Sequence, residues 1–144
     1  MTGRPVPKAV LAGDREAARA RFGIAPETKT LLVVGGSQGA RSINLAAVEA
    51  FAEGENAVVS AMRREMRSHD LHVVHIAGDR DFAEIEARLG AAPDRDDYTL
   101  LAYEPDLGDG LAAADLVLGR SGGSIFEVAA AGRPAILVPY PFAT

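Results

Sequence analysis

The sequence of 144 residues contains no cysteine and no tryptophan, and aromatic residues make up only 6% of it. Without cysteine, the chain can form no disulfide, no thiol nucleophile and no cysteine-ligated zinc site. An excess of basic residues is also lacking, because 15 Lys and Arg stand against 20 Asp and Glu for a net charge of −5. This balance offers no basic surface for nucleic acid.

Long apolar runs are lacking as well. No stretch approaches the roughly 20 residues of a membrane-spanning helix, and the N-terminus has no apolar signal-peptide core. What is present is an ordinary globular composition, 48% hydrophobic and 24% charged, with 15 glycines spread along the chain. At roughly 100–200 residues per domain, we expect one domain with a hydrophobic core.

Short apolar runs alternate with amphipathic segments along the chain, and glycine stands at most of the junctions. Such runs are typical of strands buried on both faces, and apolar residues at helical spacing are typical of the helices between them. The predicted strands cover residues 31–34, 71–77, 98–103, 116–118 and 135–138. The predicted helices cover residues 14–22, 40–51, 57–67, 82–89, 106–114 and 124–131.

This alternation predicts an α/β fold, a Rossmann-like parallel sheet with helices on both faces. We divide the chain into residues 1–25, a leading segment with a helix, and residues 26–144, the Rossmann-like domain. The last predicted strand is followed by no helix that could cover its face. We therefore expect a partial sequence, incomplete at the C-terminus, with exposed apolar surface on this strand.

The strongest local signal is the sequence G-G-S-Q-G at residues 35–39, between a strand and a helix. A helix start offers unpaired backbone N–H groups and partial positive charge, which suit a phosphate, and glycine lets the phosphate approach the backbone. Ser37 and Gln38 would add side-chain donors. The alternative is a tight turn that needs glycine for packing alone, and the sequence leaves both interpretations open.

A second turn of the same kind, R-S-G-G-S at residues 120–124, follows the strand at 116–118. Two such turns can face one crevice at the carboxyl edge of the sheet, where open α/β sheets bind ligands. Together they suit a diphosphate that Arg120 would neutralise, although Arg120 could instead form a solvated salt bridge. Glu127 follows Ser124 at capping-box spacing, so it would either cap the helix or accept hydrogen bonds from ribose hydroxyls.

Three other groups of residues are candidate metal or cofactor sites, and none of them fits the pattern that such a site requires. Among His69, His72 and His75, two fall in a strand, where residues three apart face opposite sides, so a metal site is not expected. The acidic loop at residues 94–97 lacks the glycine and terminal glutamate of a calcium loop. A dinucleotide-dependent oxidoreductase would need G-x-G-x-x-G and a carboxylate at the end of the second strand, and Asp79 lies too far along the chain for it.

Three segments resemble the MurG-type N-acetylglucosaminyltransferases: L-V-V-G-G-S-Q-G-A-R at residues 32–41, A-D-L-V-L-G-R-S-G at 114–122 and E-V-A-A-A-G-R-P at 127–134. T-G-R-P-V at residues 2–6 and V-P-Y-P at 138–141 extend the resemblance to nearly the whole chain. It implies the C-terminal domain of a GT-B glycosyltransferase, the half that binds UDP-N-acetylglucosamine. It implies no cofactor and no bound metal.

The family transfers N-acetylglucosamine to a muramoyl sugar on a polyprenyl diphosphate, converting lipid I to lipid II in peptidoglycan synthesis. The resemblance implies a peripheral enzyme at the cytoplasmic face of the plasma membrane, with acceptor and membrane contacts made through an absent N-terminal domain. We therefore expect this chain alone to bind UDP weakly and to be inactive. A UDP-N-acetylglucosamine epimerase-like GT-B enzyme and a non-catalytic nucleotide-binding fragment remain alternatives.

The resemblance assigns substrate-binding residues but no catalytic residue. Glu127 corresponds to the ribose ligand, and Glu104 to the position whose backbone reads uracil. The residues that correspond to the two binding turns are Gly36, Ser37, Gln38, Gly39, Arg120, Ser121, Gly122, Gly123 and Ser124.

The sequence departs from the family pattern at three places. Pro7 stands where the family has an arginine, and Arg4 is the candidate to replace it. The interval from Arg120 to Glu127 is one residue shorter than in the family, which leaves the register of residues 123–125 open. The family's sugar-contacting D-x-x-Q-x-x-N segment would begin just beyond Thr144.

Overall fold

Five parallel strands form a single sheet in the order β3-β2-β1-β4-β5. The strands are β1 (Lys29–Val34), β2 (Leu71–Ile76), β3 (Tyr98–Leu101), β4 (Leu116–Arg120) and β5 (Ala135–Val138). The structure, a computed structural model, describes residues 5–35, 40–53, 70–90, 96–105 and 107–139.

Helices connect the strands wherever the connection is described. They are α1 (Lys8–Leu11), α2 (Arg15–Arg21), α3 (Arg41–Val48), α4 (Phe82–Gly90), α5 (Leu107–Ala113) and α6 (Ile125–Ala130). The short helix α1 was not predicted, and α3 continues into a π-helical turn at Glu49–Glu53. The predicted helix at residues 57–67 lies outside the described residues.

The predicted strands are confirmed, but the third is shorter than expected. β3 ends at Leu101, where the backbone N–H of Ala77 makes the final ladder bond to the Leu101 carbonyl (2.9 Å). Beyond Ala77 the chain of β2 turns away at Gly78, whose φ is 85°. Residues 102–103 therefore have no continuing strand beside them.

The strand order places a topological switch between β1 and β4. The chain moves outward from β1 to β2 and β3, then returns across β1 to form β4 and β5 on its other side. Crossovers on the two sides of such a point leave in opposite directions, which opens a crevice at the carboxyl edge. The predicted Rossmann-like sheet is confirmed, and its carboxyl edge is the place to look for a ligand site.

Helices cover both faces of the sheet, because side chains of β1 alternate between two hydrophobic clusters. Leu32 and Val34 pack with residues of α1, α2, α5 and α6. Leu31 and Val33 pack with residues of α3 and α4 on the opposite face. A parallel sheet buried in this way needs continuous apolar runs, which residues 31–34 of β1 provide.

The edge strand β5 is the exception to this burial. Ile136 is 54% exposed and Leu137 is 39% exposed. The expected exposed apolar surface on this strand is therefore confirmed.

Helix α2 has a local signal at each of its ends. The Asp14 carboxylate accepts a hydrogen bond from the backbone N–H of Ala17 (3.0 Å), which is an N-cap. Gly23 follows the helix with a φ of 68°, a conformation that favours glycine. These two signals fix where α2 begins and ends.

A buried polar network joins α3 to β2 and β3. The Asn44 side-chain amide donates to the Ala77 carbonyl and to the Asp81 carboxylate, both at 2.8 Å. The Asn44 oxygen must then accept from His75 Nε2 (2.9 Å), so His75 Nδ1 accepts from the Tyr98 hydroxyl (2.6 Å). In this arrangement the ring of His75 is neutral, because its Nδ1 accepts from the Tyr98 hydroxyl and a protonated ring has no acceptor nitrogen.

This network predicts a pH-dependent stability. Burial lowers the pKa of His75 to about 4, whereas an unfolded histidine titrates near 6.5. Between these values the unfolded chain binds a proton that the folded chain does not, so the free energy of unfolding falls as the pH is lowered. We expect a loss on the order of 1 kcal/mol per pH unit in this window, measured by urea unfolding.

The matched control is His75→Gln, which retains an amide donor for Asn44 but has no titrating ring. The pH dependence of this variant should be shallower than that of the natural chain. The pKa of His72 is also lowered by burial, so a part of the slope should remain. Equal slopes for both chains would contradict the assignment of the titration to His75.

Candidate functional site

A cavity of about 530 Å³ opens at the carboxyl edge of the sheet. Val34 and Ile76 line it from the ends of β1 and β2, and Ser124 and Glu127 line it from the start of α6. It therefore spans the switch between β1 and β4. Its volume lies within the roughly 300–1,000 Å³ of small-molecule sites.

The remaining lining combines an apolar side with a polar rim. Residues 102–105, which follow β3, are four consecutive lining residues, and we call this segment the wall. Asp79 lines the cavity next to Gly78. The other lining residues are Pro7, Val10 and Leu107. A flat apolar group and hydroxyl groups could thus be accommodated in one ligand.

The two predicted turns leave neighbouring strands at the same edge. Val34, the last residue of β1, is in register with Gly119 of β4. Arg120 bridges the two crossovers, because its guanidinium donates to the Ser42 hydroxyl in α3 (2.8 Å) and to the Pro139 carbonyl (3.0 Å). Its positive charge lies between the start of α3 and the end of β5.

Part of the predicted site lies outside the described residues. Gly36, Ser37, Gln38 and Gly39 belong to the first turn, and Arg4 precedes the first described residue. Their roles stay predictions.

The first and second turns use glycine for different reasons. A Cβ on Gly35 would lie 2.7 Å from Asn44 Oδ1 and 2.9 Å from the Ala77 carbonyl, closer than real Cβ contacts allow. Gly35 is therefore required by packing, the alternative that the sequence left open. A Cβ on Gly122 would meet nothing within 4 Å, so packing does not require this glycine.

Some backbone N–H groups of the second turn are bonded within the chain and others are not. The Ser121 N–H donates to the Val138 carbonyl (3.2 Å), and the Gly122 N–H donates to the Arg120 carbonyl (2.9 Å). Within the described ranges, the N–H groups of Gly123 and Ser124 donate to no acceptor. These two are the donors that the start of α6 can offer to an anion.

The capping interpretation of Ser124 and Glu127 is wrong. Ser124 has helical angles (φ −68°, ψ −10°) and its side chain makes no capping bond, since an N-cap needs an extended backbone.

The carboxylates of Glu127 and Asp79 make no hydrogen bond or ion pair with any part of the chain that is described. Free carboxylates repel phosphates and accept bonds from hydroxyl groups, so they suit the sugar part of a ligand.

Glu104 behaves differently from these two carboxylates. Its side chain is only 2% exposed and forms an ion pair with Arg21 (2.8 Å). The neighbouring Tyr103 is 62% exposed. Sequence reasoning missed Asp79 and Tyr103 as cavity residues, although a glycine before an acidic residue after β2 is a usable signal for Asp79.

The histidines of β2 are structural. His72 Nε2 is hydrogen-bonded to the Thr99 hydroxyl (2.8 Å), and His75 belongs to the buried network described above. No group of three metal-ligating side chains occurs among the residues described. The helices in the same part of the chain are too short or too polar to cross a bilayer.

Comparison with known proteins matches this fold and sequence to one family. The model of the glycosyltransferase family 28 C-terminal domain matches residues 30–144. The UDP-N-acetylglucosamine--N-acetylmuramyl-(pentapeptide) pyrophosphoryl-undecaprenol N-acetylglucosamine transferases of Moorella thermoacetica and Acidothermus cellulolyticus are 38% and 42% identical to the chain. These matches cover 99% and 96% of the chain, which spans 37% and 36% of the length of these relatives.

A solved structure shows the same fold. The crystal structure of MurG from Acinetobacter baumannii aligns with a TM-score of 0.65 at 24% sequence identity. The alignment covers all of this chain and 37% of that chain. The predicted GT-B type of Rossmann-like domain is thereby confirmed.

The packing role of Gly35 leads to a mutational prediction. Gly35→Ala should lower the free energy of unfolding by about 1–3 kcal/mol, because the added methyl group forces Asn44 or the backbone at Ala77 to move. Gly90→Ala is the matched control, since a Cβ there meets nothing within 4 Å and its φ is not positive. Urea unfolding of the natural chain and of both variants measures these free energies. If Gly35→Ala is as stable as Gly90→Ala, the turn accommodates the methyl group without cost.

Proposed function

This chain belongs to the glycosyltransferase family 28 C-terminal domain, and from that premise we propose that it binds the sugar-nucleotide donor UDP-N-acetylglucosamine. The observation that carries the proposal is the cavity at the switch point, which brings together residues 102–105, the carboxyl side chains of Asp79 and Glu127, and Ser124 at the start of α6. The names of the relatives support this donor, because they describe N-acetylglucosamine transferases.

We place the parts of the donor by matching chemistry to the cavity. The uracil ring lies against residues 102–105, where a backbone wall can read the edge of a base. The ribose hydroxyls donate to Glu127, which has no other described partner. The diphosphate lies at the N–H groups of Gly123 and Ser124, near Arg120 of the same turn. Residues 36–39 of the first Gly-rich turn lie outside the described residues, and their contribution stays a prediction.

This arrangement supplies one requirement of glycosyl transfer. As the bond from the sugar to UDP breaks, negative charge grows on the β-phosphate. Fixed N–H donors and a guanidinium stabilise that charge because they need no reorganisation as it develops. Activation of the acceptor hydroxyl requires a general base, for which this chain offers no assigned residue.

The whole protein would then transfer N-acetylglucosamine to lipid I to form lipid II in peptidoglycan synthesis. We propose that the polyprenyl-diphosphate acceptor and the membrane surface are contacted by a domain outside this chain. The protein would work at the cytoplasmic face of the plasma membrane, without contacts to nucleic acid.

The first test is direct titration of the chain with UDP. We expect saturable but weak binding, on the order of a millimolar dissociation constant, because this chain supplies only one side of the proposed two-domain cleft. Calorimetry or amide NMR measures the binding, and NADH should not compete. Turnover of UDP-N-acetylglucosamine with an acceptor should not be detectable for this chain alone. A chain that binds NADH in preference to UDP would contradict the proposal.

The second test concerns the ribose. Glu127→Gln should weaken UDP binding about tenfold, because a charged hydrogen-bond acceptor is replaced by a neutral one. The same substitution should have little effect on binding of a uridine diphosphate that lacks ribose hydroxyls. Glu86→Gln on the exposed side of α4 is the control and should leave both affinities unchanged. Equal losses for both ligands would place Glu127 away from the ribose.

A further inference from the structure

The wall of the cavity formed by residues 102–105 is a segment without a strand partner. The ladder between β2 and β3 ends with the bond from Ala77 to Leu101, and residues 102–105 continue beyond it. The position of this wall must therefore be determined by contacts of its own side chains and by interactions outside the sheet.

Glu104 provides such a contact. Its carboxylate points into the protein, with 2% of the side chain exposed, and Arg21 Nη2 donates to Glu104 Oε2 at 2.8 Å. Arg21 is the last residue of α2, which packs against α5. A side chain of a distant helix thus holds the middle of the wall.

The guanidinium of Arg21 is itself held in place. Its second nitrogen donates to Asp109 Oδ2 in α5 (2.7 Å), and the group lies over the Phe22 ring at 5.0 Å from the ring centre. Bonds to Glu104 and Asp109 raise the pKa of Arg21, so it stays charged. The planar guanidinium therefore links α2, α5 and the wall in one geometry, which a lysine could not reproduce.

We propose that Arg21, acting through Glu104, is a positioning residue that sets the backbone of residues 102–105 for recognition of the nucleotide base. This inference rests on the proposed function, because it assumes that a uridine nucleotide occupies the cavity. Stability alone explains the ion pair poorly, since the Arg21 side chain is 45% exposed and an ion pair that is partly open to solvent contributes little to the free energy of unfolding. Correct placement of a base-reading backbone does require a fixed anchor.

The consequence for specificity is distinct from the consequence for stability. Uracil presents an N–H donor and a carbonyl acceptor where cytosine presents an acceptor and an amino donor. A fixed backbone donor and acceptor discriminate between these edges, because the wrong base leaves them unpaired. If the wall moves, the preference for UDP over CDP decreases even when the chain remains folded.

The experiment compares Kd values for UDP and CDP by calorimetry in Arg21→Met, Glu104→Gln and Asp109→Asn. Arg21→Met and Glu104→Gln should each reduce the UDP preference about tenfold, and combining them should add little, as expected for residues that act as one unit. Asp109→Asn is the matched control, because it removes the charge of the partner that is exposed to solvent (Asp109 side chain 39% exposed) and leaves the bond from Arg21 to the buried Glu104 in place. It should change the preference less than about twofold.

Thermal unfolding by circular dichroism accompanies each measurement, and Arg21→Lys is the second variant if Arg21→Met does not fold. Arg21→Lys retains the charge without the planar fork, so it should show an intermediate UDP preference. If the natural chain prefers UDP over CDP and the variants keep this preference, the positioning role is overturned and the donor site is unaffected. A natural chain that binds neither nucleotide would overturn the donor site, and the positioning role with it.

Discussion

The parallel pairing of β1 with β4 is the constraint on which the site depends. Because these strands lie side by side with Val34 opposite Gly119, the turns that follow them begin at one edge of the sheet. The return of the chain across β1 also separates the crossovers that would otherwise fill this edge. This one pairing brings together the cavity and the start of α6. It also allows the Arg120 guanidinium to reach the Ser42 hydroxyl.

Groups of both charge signs occur at this edge of the sheet. Asp79 and Glu127 line the cavity with carboxylates, and Ser124 of the second turn also lines it, whereas Arg120 and Gly123 lie in the same turn but are not among the lining residues. Glu104 would add a third carboxylate, but its pairing with Arg21 neutralises it inside the protein. The net charge of −5 therefore does not by itself contradict the proposed diphosphate site at this edge of the sheet.

Much of the fold could be predicted because its signals are local. The apolar run of β1, the cap at Asp14 and the stop at Gly23 each depend on residues that are close in sequence. The capping box at Ser124 was also a local signal, and it misled, because the turn before α6 keeps Ser124 in a helical conformation. Spacing alone does not record that conformation.

The sequence by itself determined the order of strands and helices, the two glycine-rich turns and the family to which the chain belongs, since each is written in short contiguous motifs. Only the tertiary structure decided that Gly35 serves packing against Asn44 and that Arg21 holds Glu104, a residue 83 positions away. These facts depend on which side chains the folded sheet brings together. Contacts between distant segments arise from packing of the whole domain, and no local pattern encodes them.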